Sequence, residues 1–323
     1  MTESHRLPAG THDILAEVYH SDPCMEPSLS STLARNILFQ SPLHAWAASP
    51  RLNPELEPVV KSAFEIGRAS HTTLLSKGQL IHVMSHDSYR TNAAKEERDE
   101  ARAAGMTVLK LDEWAAVDAM VGAARSQLDA HGVGDVFGRG RSELAHFAEI
   151  GGIWCRALTD CMIEDAQILI DDARIIYDYK TTASSAEPGA VIRTICSYGY
   201  DVQAAHYLDV VEAVTGRTWK FRFVMQEKEP PWALSVVEID ESWLVTARKK
   251  VARARELWRM CLEKYGDSPW PGYPSQIAVL SAPTWHDTSW LNREEREADY
   301  RQRTGSDVLE AAMQWHAPLT PAA

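Results

Sequence analysis

The apolar residues of the first 130 positions recur with the spacing of helices. Residues 30–49 contain two short amphipathic segments, SSTLARNILFQ and SPLHAWAAS, and the second begins with Ser41 followed by proline, a common helix start. From about residue 56 to 75, apolar or small residues lie on one helical face and place His71 on the inward side. A longer amphipathic segment, LDEWAAVDAMVGAARSQL, is predicted to have Asp112 as its cap. This part of the chain is predicted to be mostly helical.

After about residue 130 the pattern changes to short extended runs separated by acidic turns. These runs are GGIWCRALT, AQILIDD, ARIIYDYKTT, KFRFVMQE and WALSVVEID. The helical pattern YGYDVQAAHYLDVVEAVTG lies between the third and fourth runs and ends at Gly216, and SWLVTARKKVARARELWRMCLEKYG follows the last run. The pattern predicts an α/β fold in which helices flank a central mixed sheet of about five strands, with a helical amino-terminal part.

These patterns divide the chain into three regions. Residues 1–29 are predicted to form an amino-terminal arm, and residues 30–267 a single domain. Within that domain, a helical part (30–130) precedes an α/β core (131–267). Residues 268–323 are rich in proline and tryptophan at first and then polar, which predicts a wrapping strap followed by a loosely ordered tail.

Composition narrows the classes of partner and location. The 323 residues carry 33 Lys and Arg against 45 Asp and Glu, a formal net charge of −12, so any site for a polyanion must be a local basic patch. Five scattered cysteines without a CxxC pair argue against a disulfide framework or a zinc knuckle and favour a reducing compartment. The chain begins without a signal-like segment and lacks a run of about 18 apolar residues. We therefore expect a cytoplasmic protein without a membrane partner.

The stretch from residue 154 to 182 holds the most informative polar residues. In YDYK, Asp178 and Lys180 are two positions apart, so the period of a strand puts both side chains on one face of the sheet. Asp160 ends the preceding extended run, and a hairpin could bring its carboxylate beside Asp178. Paired carboxylates repel each other unless a cation lies between them, and Mg²⁺ or Mn²⁺ suits oxygen ligands with one imidazole, such as that of His71. A structural salt bridge between Asp178 and Lys180, and a core position for His71, are the alternatives.

Two further clusters have both a functional and a structural interpretation. Tyr200, Gln203 and Tyr207 lie along one face of the helix that follows the YDYK strand, where they could hold a phosphate or a water or simply pack in the core. The segment ARKKVARAR predicts a helix with one basic side, which is either a solvated face or a groove that tracks phosphates. The basic residues of this helix are Arg248, Lys249, Lys250, Arg253, Arg255 and Arg259.

Six ordered motifs carry a resemblance to a known superfamily. They are VYHSDP with SSTLARNILFQSPLHAWAA, FEIGRASHTTLL, RTNAAKEERDEARAAGMTVL, WCRALTD with IIYDYKTTAS, YDVQAAHYLD and DSPWPGY. Together they resemble the PD-(D/E)XK nuclease superfamily and, within it, the RecE-like group of exonuclease VIII type from phages and prophages. The similarity spans roughly residues 18–285 and does not depend on a single short motif.

The resemblance implies a metal site. It makes His71, Asp160 and Asp178 the metal ligands, together with the backbone carbonyl of Tyr179, and Mg²⁺ or Mn²⁺ the cofactor. The run before Asp160 is less polar than in the group, and the stretch between Asp160 and Asp178 is longer. A different carboxylate could therefore take the place of Asp160, and the candidates are Glu164, Asp165, Asp171 and Asp172.

The resemblance also implies roles for the residues around the metal. Lys180 orients or deprotonates the attacking water, and Gln203 and Tyr200 support the scissile phosphate or Lys180. Glu143 in GRSELAHF is an accessory carboxylate, with Glu149 as the alternative.

The implied activity is metal-dependent hydrolysis of DNA, from 5′ to 3′ on linear double-stranded substrates, in phage-type recombination. A single-strand-annealing protein and a ring-shaped homo-oligomer are the implied partners, with Arg248, Lys249, Arg253 and Arg255 binding DNA in a central channel. Two alternatives stay open: a non-catalytic DNA-binding or assembly protein that keeps the fold, and a structure-specific nuclease with the same site.

Overall fold

The computed structural model of the chain describes residues 6–56, 65–164 and 174–307. The chain forms two units, Met1–Gly272 and Tyr273–Ala323. Within the described residues, every helix is too short or too polar to cross a membrane.

The elements before residue 140 include the helices that the apolar spacing predicts. In chain order they are β1 (Gly10–His12), α1 (Ala16–His20), β2 (Leu29–Ser30), α2 (Ser31–Phe39), α3 (Pro42–Ala47), α4 (Glu65–Leu75), β3 (Ile81–Val83), α5 (Asn92–Ala103), β4 (Thr107–Leu109), α6 (Leu111–Ala130) and α7 (Val136–Arg139). The two short helices, α2 and α3, are confirmed, and Ser41 is the N-cap of α3. The expectation that Asp112 caps α6 is wrong. Lys110 is the N-cap, and Glu113 accepts a hydrogen bond from its backbone N–H at 2.8 Å.

The second part of the chain contains most of the sheet. Its elements are β5 (Arg141–Ile150), β6 (Ile153–Ile163), β7 (Ile175–Thr182), α8 (Pro188–Tyr198), α9 (Tyr200–Thr215), β8 (Lys220–Glu227), β9 (Leu234–Glu238), α10 (Glu241–Tyr265) and, in the second unit, α11 (Thr284–Thr304). The predicted run AQILIDD falls at residues 166–172 and lies outside the described residues.

The sheet of the first unit is mixed and has seven strands in the described part of the chain. Its order is β1-β5-β6-β7-β8-β9, and β2 pairs with β6. Neighbouring strands are antiparallel except for the pairs β7–β8 and β2–β6. The parallel pair β7–β8 requires a crossover, which α8 and α9 provide. The predicted α/β fold with a central mixed sheet is confirmed, although β1, β2 and β5 add strands that the patterns did not reveal.

Helices cover both faces of this sheet. One core cluster joins the strands to residues of α2, α8, α9 and α10, and a second joins them to residues of α4, α6 and α7. The first cluster includes Trp258 of α10 and Trp270, whose rings meet edge to face at 4.8 Å. The backbone N–H of Leu43 in α3 donates to the carbonyl of Pro271 at 3.0 Å. The first residues of the predicted strap thus lie against α3 and α10.

The amino-terminal arm is joined to the sheet by a buried ion pair. Arg156 of β6 is 4% exposed and its Nη1 lies 2.9 Å from Oδ2 of Asp22, which is fully buried. Ser28 donates its backbone N–H to the same carboxylate at 2.9 Å. Since an unpaired buried charge is costly, this pair fixes the arm against β6.

The second unit contains a helix where the sequence suggested a loosely ordered tail. In α11, Arg293 lies 2.7 Å from Glu297, and Arg303 lies 3.2 Å from Asp299. Pairs of opposite charge four residues apart stabilise an exposed helix, which is why this polar sequence is helical. Residues Thr284–Thr304 are helical, and the expectation of a loosely held tail stays a prediction.

A buried histidine in β5 makes stability depend on pH. His146 is fully buried, with Nδ1 3.0 Å from Oγ1 of Thr11 and Nε2 3.3 Å from Oγ1 of Thr159. Burial lowers the pKa of His146 to about 4. The unfolded chain therefore binds this proton more readily between pH 6.5 and 4, and the stability that neutral His146 contributes is lost as the pH falls through that range.

We expect the wild type to lose about 2 kcal/mol more unfolding free energy than His146→Gln between pH 7.5 and 5. Urea unfolding of both proteins at the two pH values measures this difference. His286→Gln, at an exposed position of α11, is the control and should follow the wild type. Equal acid sensitivity of wild type and His146→Gln would contradict the assignment.

Candidate metal centre

Asp160 and Asp178 lie opposite each other at the point where β6 and β7 stop pairing. The antiparallel register pairs Cys161 with Tyr177, and one further step places Asp160 opposite Asp178. Side chains of directly opposite residues share a face of the sheet, so the two carboxylates are brought together as the sequence predicts. The backbone N–H of Tyr179 donates to Oδ2 of Asp160 at 2.8 Å and fixes that carboxylate.

Glu143 of β5 adds a third carboxylate, so that Glu143, Asp160 and Asp178 form a row across β5, β6 and β7. The register between β5 and β6 pairs Ser142 with Cys161 and Leu144 with Thr159, which leaves Glu143 opposite Asp160. The ladder is interrupted there because Glu143 has a φ of +54°. A left-handed conformation is costly for a residue with a side chain, and such strained residues cluster at functional sites.

His71 reaches the row from α4. Its Nε2 lies 3.1 Å from Oδ2 of Asp160, and its Nδ1 lies 3.6 Å from Oε1 of Glu143. Gly67, one turn earlier, permits this position, since a Cβ there would lie 3.0 Å from Oγ1 of Thr181 in β7. One potential ligand atom each from His71, Glu143 and Asp160 lies within 4.8 Å of the others. Among the described residues this group contains Glu143 in place of the predicted Asp178, whose role as a ligand stays a prediction. An imidazole and two carboxylates in this arrangement fit a divalent cation such as Mg²⁺ or Mn²⁺.

The protonation of these side chains also fits a cation site. Burial, with the nearby Asp160 carboxylate, raises the pKa of Glu143 to about 7, and burial likewise raises that of Asp178 to about 6. Burial alone would lower the pKa of His71, but the carboxylates of Asp160 and Glu143 outweigh it and raise the pKa. Three clustered carboxylates are therefore not all ionised easily at neutral pH, and a divalent cation would relieve their repulsion.

Asp178 is held by two partners beside the row. The Nζ atom of Lys180 lies 2.5 Å from its Oδ2, and Nε2 of Gln203 in α9 donates to its Oδ1 at 2.8 Å. Asp178 is 1% exposed, whereas the Lys180 side chain is 21% exposed. The same Nζ lies 5.6 Å from the centroid of the Tyr200 ring. The predicted group of Asp178, Lys180, Gln203 and Tyr200 is thus brought together in space.

The other predicted site residues differ in how close they lie to the candidate metal centre. Glu149 is exposed at the far end of β5, opposite Trp154, so of the two alternatives Glu143 is the one beside His71. Glu164 lies 3.4 Å from Arg141 and so belongs to a different ion pair. Asp165, Asp171 and Asp172 lie outside the described residues, and the role of the Tyr179 carbonyl stays a prediction. Tyr207 packs in the core, with its ring 6.1 Å from that of Phe221.

The basic side of α10 is largely balanced by carboxylates. Arg255 lies 2.7 Å from Asp209 of α9, and Arg248 lies 3.4 Å from the same residue. Arg253 pairs within α10 with Glu256 at 2.5 Å, and Lys249 is exposed. Arg248 and Arg255 therefore join α10 to α9, and DNA binding by Arg248, Lys249, Arg253 and Arg255 stays a prediction.

A cleft of about 440 Å³ opens beside the candidate metal centre. His71, Lys180 and Tyr200 line it, together with two basic residues that the sequence did not single out, Arg68 of α4 and Lys228 after β8. The remaining lining includes hydroxyl side chains, namely Thr181, Thr182, Ser184 and Thr194. Arg68 lies three residues before His71 in FEIGRASH, a signal that was available in the sequence, whereas Lys228 had none. Cations and hydroxyl groups beside a metal centre suit a phosphate-bearing ligand.

The predicted resemblance to the PD-(D/E)XK nuclease superfamily is confirmed by a family model. Within it, the chain belongs to the family described as "PDDEXK-like domain of unknown function (DUF3799)", which matches residues 37–281. The RecE-like assignment stays a prediction.

One solved structure agrees with this fold. The crystal structure of a protein named "Putative exonuclease" from Eubacterium rectale aligns with a TM-score of 0.55 and 14% identity, covering 86% of this chain and 98% of that one. A second structure, that of SSO0001, has a TM-score of 0.27 and 15% identity over 61% of this chain and 85% of its own, too distant to support an argument. A search of curated proteins finds no significant match.

Proposed function

We propose that this protein is a Mg²⁺- or Mn²⁺-dependent deoxyribonuclease. The observation that carries the proposal is the convergence of His71, Glu143 and Asp160 within 4.8 Å, beside the pair of Asp178 and Lys180. The adjoining cleft is lined by basic and hydroxyl side chains. A scaffold that merely bound DNA would have no reason to keep buried carboxylates so close together.

In this proposal, each residue has a separate task. His71, Glu143 and Asp160 hold the metal, and a bound divalent cation supplies charge stabilisation to the phosphodiester and a more acidic water. Burial opposes ionisation of Lys180, but Asp178 and Asp160 outweigh it and raise the pKa of Lys180, so its Nζ is an ammonium in the metal-free site. The ammonium can donate to a phosphate oxygen or hold the attacking water. Gln203 keeps the Asp178 carboxylate in place, and Asp178 in turn positions Lys180.

The finer assignment rests on the motif resemblance to the RecE-like group. It comprises 5′-to-3′ digestion of linear double-stranded DNA in phage-type recombination, a ring-shaped homo-oligomer and a single-strand-annealing partner. The name of the Eubacterium rectale protein is in keeping with an exonuclease. The cleft beside Lys180 offers a place for one DNA strand.

Incubation with linear, nicked and covalently closed DNA, each with Mg²⁺ and with chelator, tests the activity. We expect digestion of linear DNA with Mg²⁺, no digestion with chelator, and intact closed circles. Protection of the 5′ ends should slow digestion more than protection of the 3′ ends. Cleavage of closed circles would favour the structure-specific alternative, and stable DNA binding without cleavage would favour the non-catalytic one.

A further inference from the structure

A series of neighbouring aromatic rings runs from the core to the surface of the cleft. Phe223 of β8 is fully buried, and its ring centroid lies 5.7 Å from that of Tyr200. Tyr200 in turn lies 5.5 Å from Tyr198, with an angle of 20° between the ring planes. Tyr198 ends α8, lines the cleft and is 62% exposed. Tyr198, the outermost ring of the series, thus stacks on Tyr200 and is exposed to solvent in the cleft.

The backbone around Tyr198 is held firmly. Gly199 ends α8 and begins α9 with a φ of +63°, a conformation that side chains disfavour. A Cβ at Gly199 would lie 2.7 Å from the ring of Phe39, so α2 packs closely against this turn. Arg35 of α2 donates from Nη1 to the carbonyl of Tyr198 at 2.9 Å. These contacts fix the position of the turn, so little order would have to be gained when a ligand stacks on the exposed ring.

The series of aromatic rings also connects Tyr198 to Lys180 at the candidate metal centre. Lys180 lies 5.6 Å from the Tyr200 ring, and the Tyr198 ring is the next one along. Two further cations, Arg68 and Lys228, line the same cleft. An exposed flat ring beside three cations matches the way in which single nucleic-acid strands are held, with bases on aromatic rings and phosphates on cations.

We propose that Tyr198 is a stacking platform for one DNA base, either an unpaired base or the outer face of a terminal base pair, whose strand passes Lys180 in the cleft. The inference rests on the proposed function and adds a base-binding subsite to it. Stacking accepts every base because each base has a flat face, so the subsite contributes affinity and position without sequence preference. Tyr198 is a positioning residue and takes no part in bond cleavage.

The test measures binding separately from cleavage. DNA duplexes carry the fluorescent base 2-aminopurine at the first, second or third nucleotide of a 5′ overhang, or at the end of a blunt duplex, and Ca²⁺ replaces Mg²⁺. We expect one probe position to be quenched by the wild type and by Tyr198→Phe, and to remain bright with Tyr198→Ala. The affinity of Tyr198→Ala should be about tenfold lower, which corresponds to about 1.4 kcal/mol. Ile192→Ala, an exposed position of the same helix, is the matched control and should behave as the wild type.

The outcomes separate this inference from the proposed function. With Mg²⁺, Tyr198→Ala should raise KM about tenfold and change kcat little, and Tyr198→Phe should restore KM. A wild type that cleaves DNA while Tyr198→Ala binds and quenches equally well would overturn the stacking platform and leave the nuclease proposal intact. A wild type that neither binds nor cleaves DNA would overturn both. Quenching confined to the overhang or to the blunt end decides whether the base is unpaired or terminal.

Discussion

Asp160→Asn is expected to lower the rate of DNA cleavage by about 1,000-fold or more while the fold is retained. Asp160 contacts two other parts of the site. Its Oδ2 lies 3.1 Å from His71 Nε2 and accepts a hydrogen bond from the backbone N–H of Tyr179. Asparagine keeps the shape and an acceptor oxygen for that N–H but removes the charge that would hold a cation. Losing a metal ligand of this kind forfeits several kcal/mol of transition-state stabilisation. Initial rates with linear DNA and Mg²⁺, with melting curves of each protein, measure the effect.

Mn²⁺ titration by calorimetry makes this prediction independent of the DNA substrate. We expect Asp160→Asn and Glu143→Gln to bind Mn²⁺ more weakly than the wild type. Glu149→Gln is the matched control for Glu143→Gln, because it makes the same chemical change at an exposed position of the same strand, β5. Normal Mn²⁺ affinity and normal cleavage by Asp160→Asn would refute the assignment of the centre.

Lys180→Met is expected to lower the cleavage rate by about 100- to 10,000-fold, the range of a positioned proton-transfer group, with Mn²⁺ affinity retained. Lys180 lies 2.5 Å from Asp178 at the edge of the centre and is placed to act on water or phosphate. The methionine side chain has a similar length without the ammonium, so the packing beside Tyr200 is conserved. Loss of activity with intact metal binding would distinguish this role from that of a ligand.

The control for Lys180→Met is Lys220→Met at the start of β8, where the lysine lies 3.9 Å from Glu238. It removes one lysine charge from the neighbouring strand and should leave cleavage and Mn²⁺ affinity near the wild-type values. Should Lys180→Met cleave DNA as fast as Lys220→Met, the chemical role of Lys180 would have to be abandoned.

Local periodicity was sufficient to predict the acidic pair and its lysine. A strand has a period of two, so Asp178 and Lys180 had to share a face, and a hairpin register could set Asp160 opposite Asp178. The helical face that contains Gly67 and His71 likewise follows from spacing alone. These features depend on residues near each other in the chain or on one register, and sequence patterns record both.

Features that depend on distant packing were harder to predict. β5 was missed because RSELAHFAEI is rich in residues with low strand propensity. The pattern therefore did not predict the strand that positions Glu143. From the sequence, the charges of Arg248 and Arg255 looked available for binding DNA. In the structure, both residues pair with Asp209 on α9, against which α10 packs. The contribution of Lys228 to the cleft depends on the turn after β8, far along the chain from His71.

Together with the proposed role of Glu143, its left-handed backbone implies a trade-off between heat resistance and catalysis. A glycine would adopt the same φ of +54° with less strain, so the chain gives up stability in order to keep a carboxylate at this point of β5. Selection for thermal robustness alone would therefore favour glycine at this position, and under the proposed metal-binding role of Glu143 the more stable protein would be inactive.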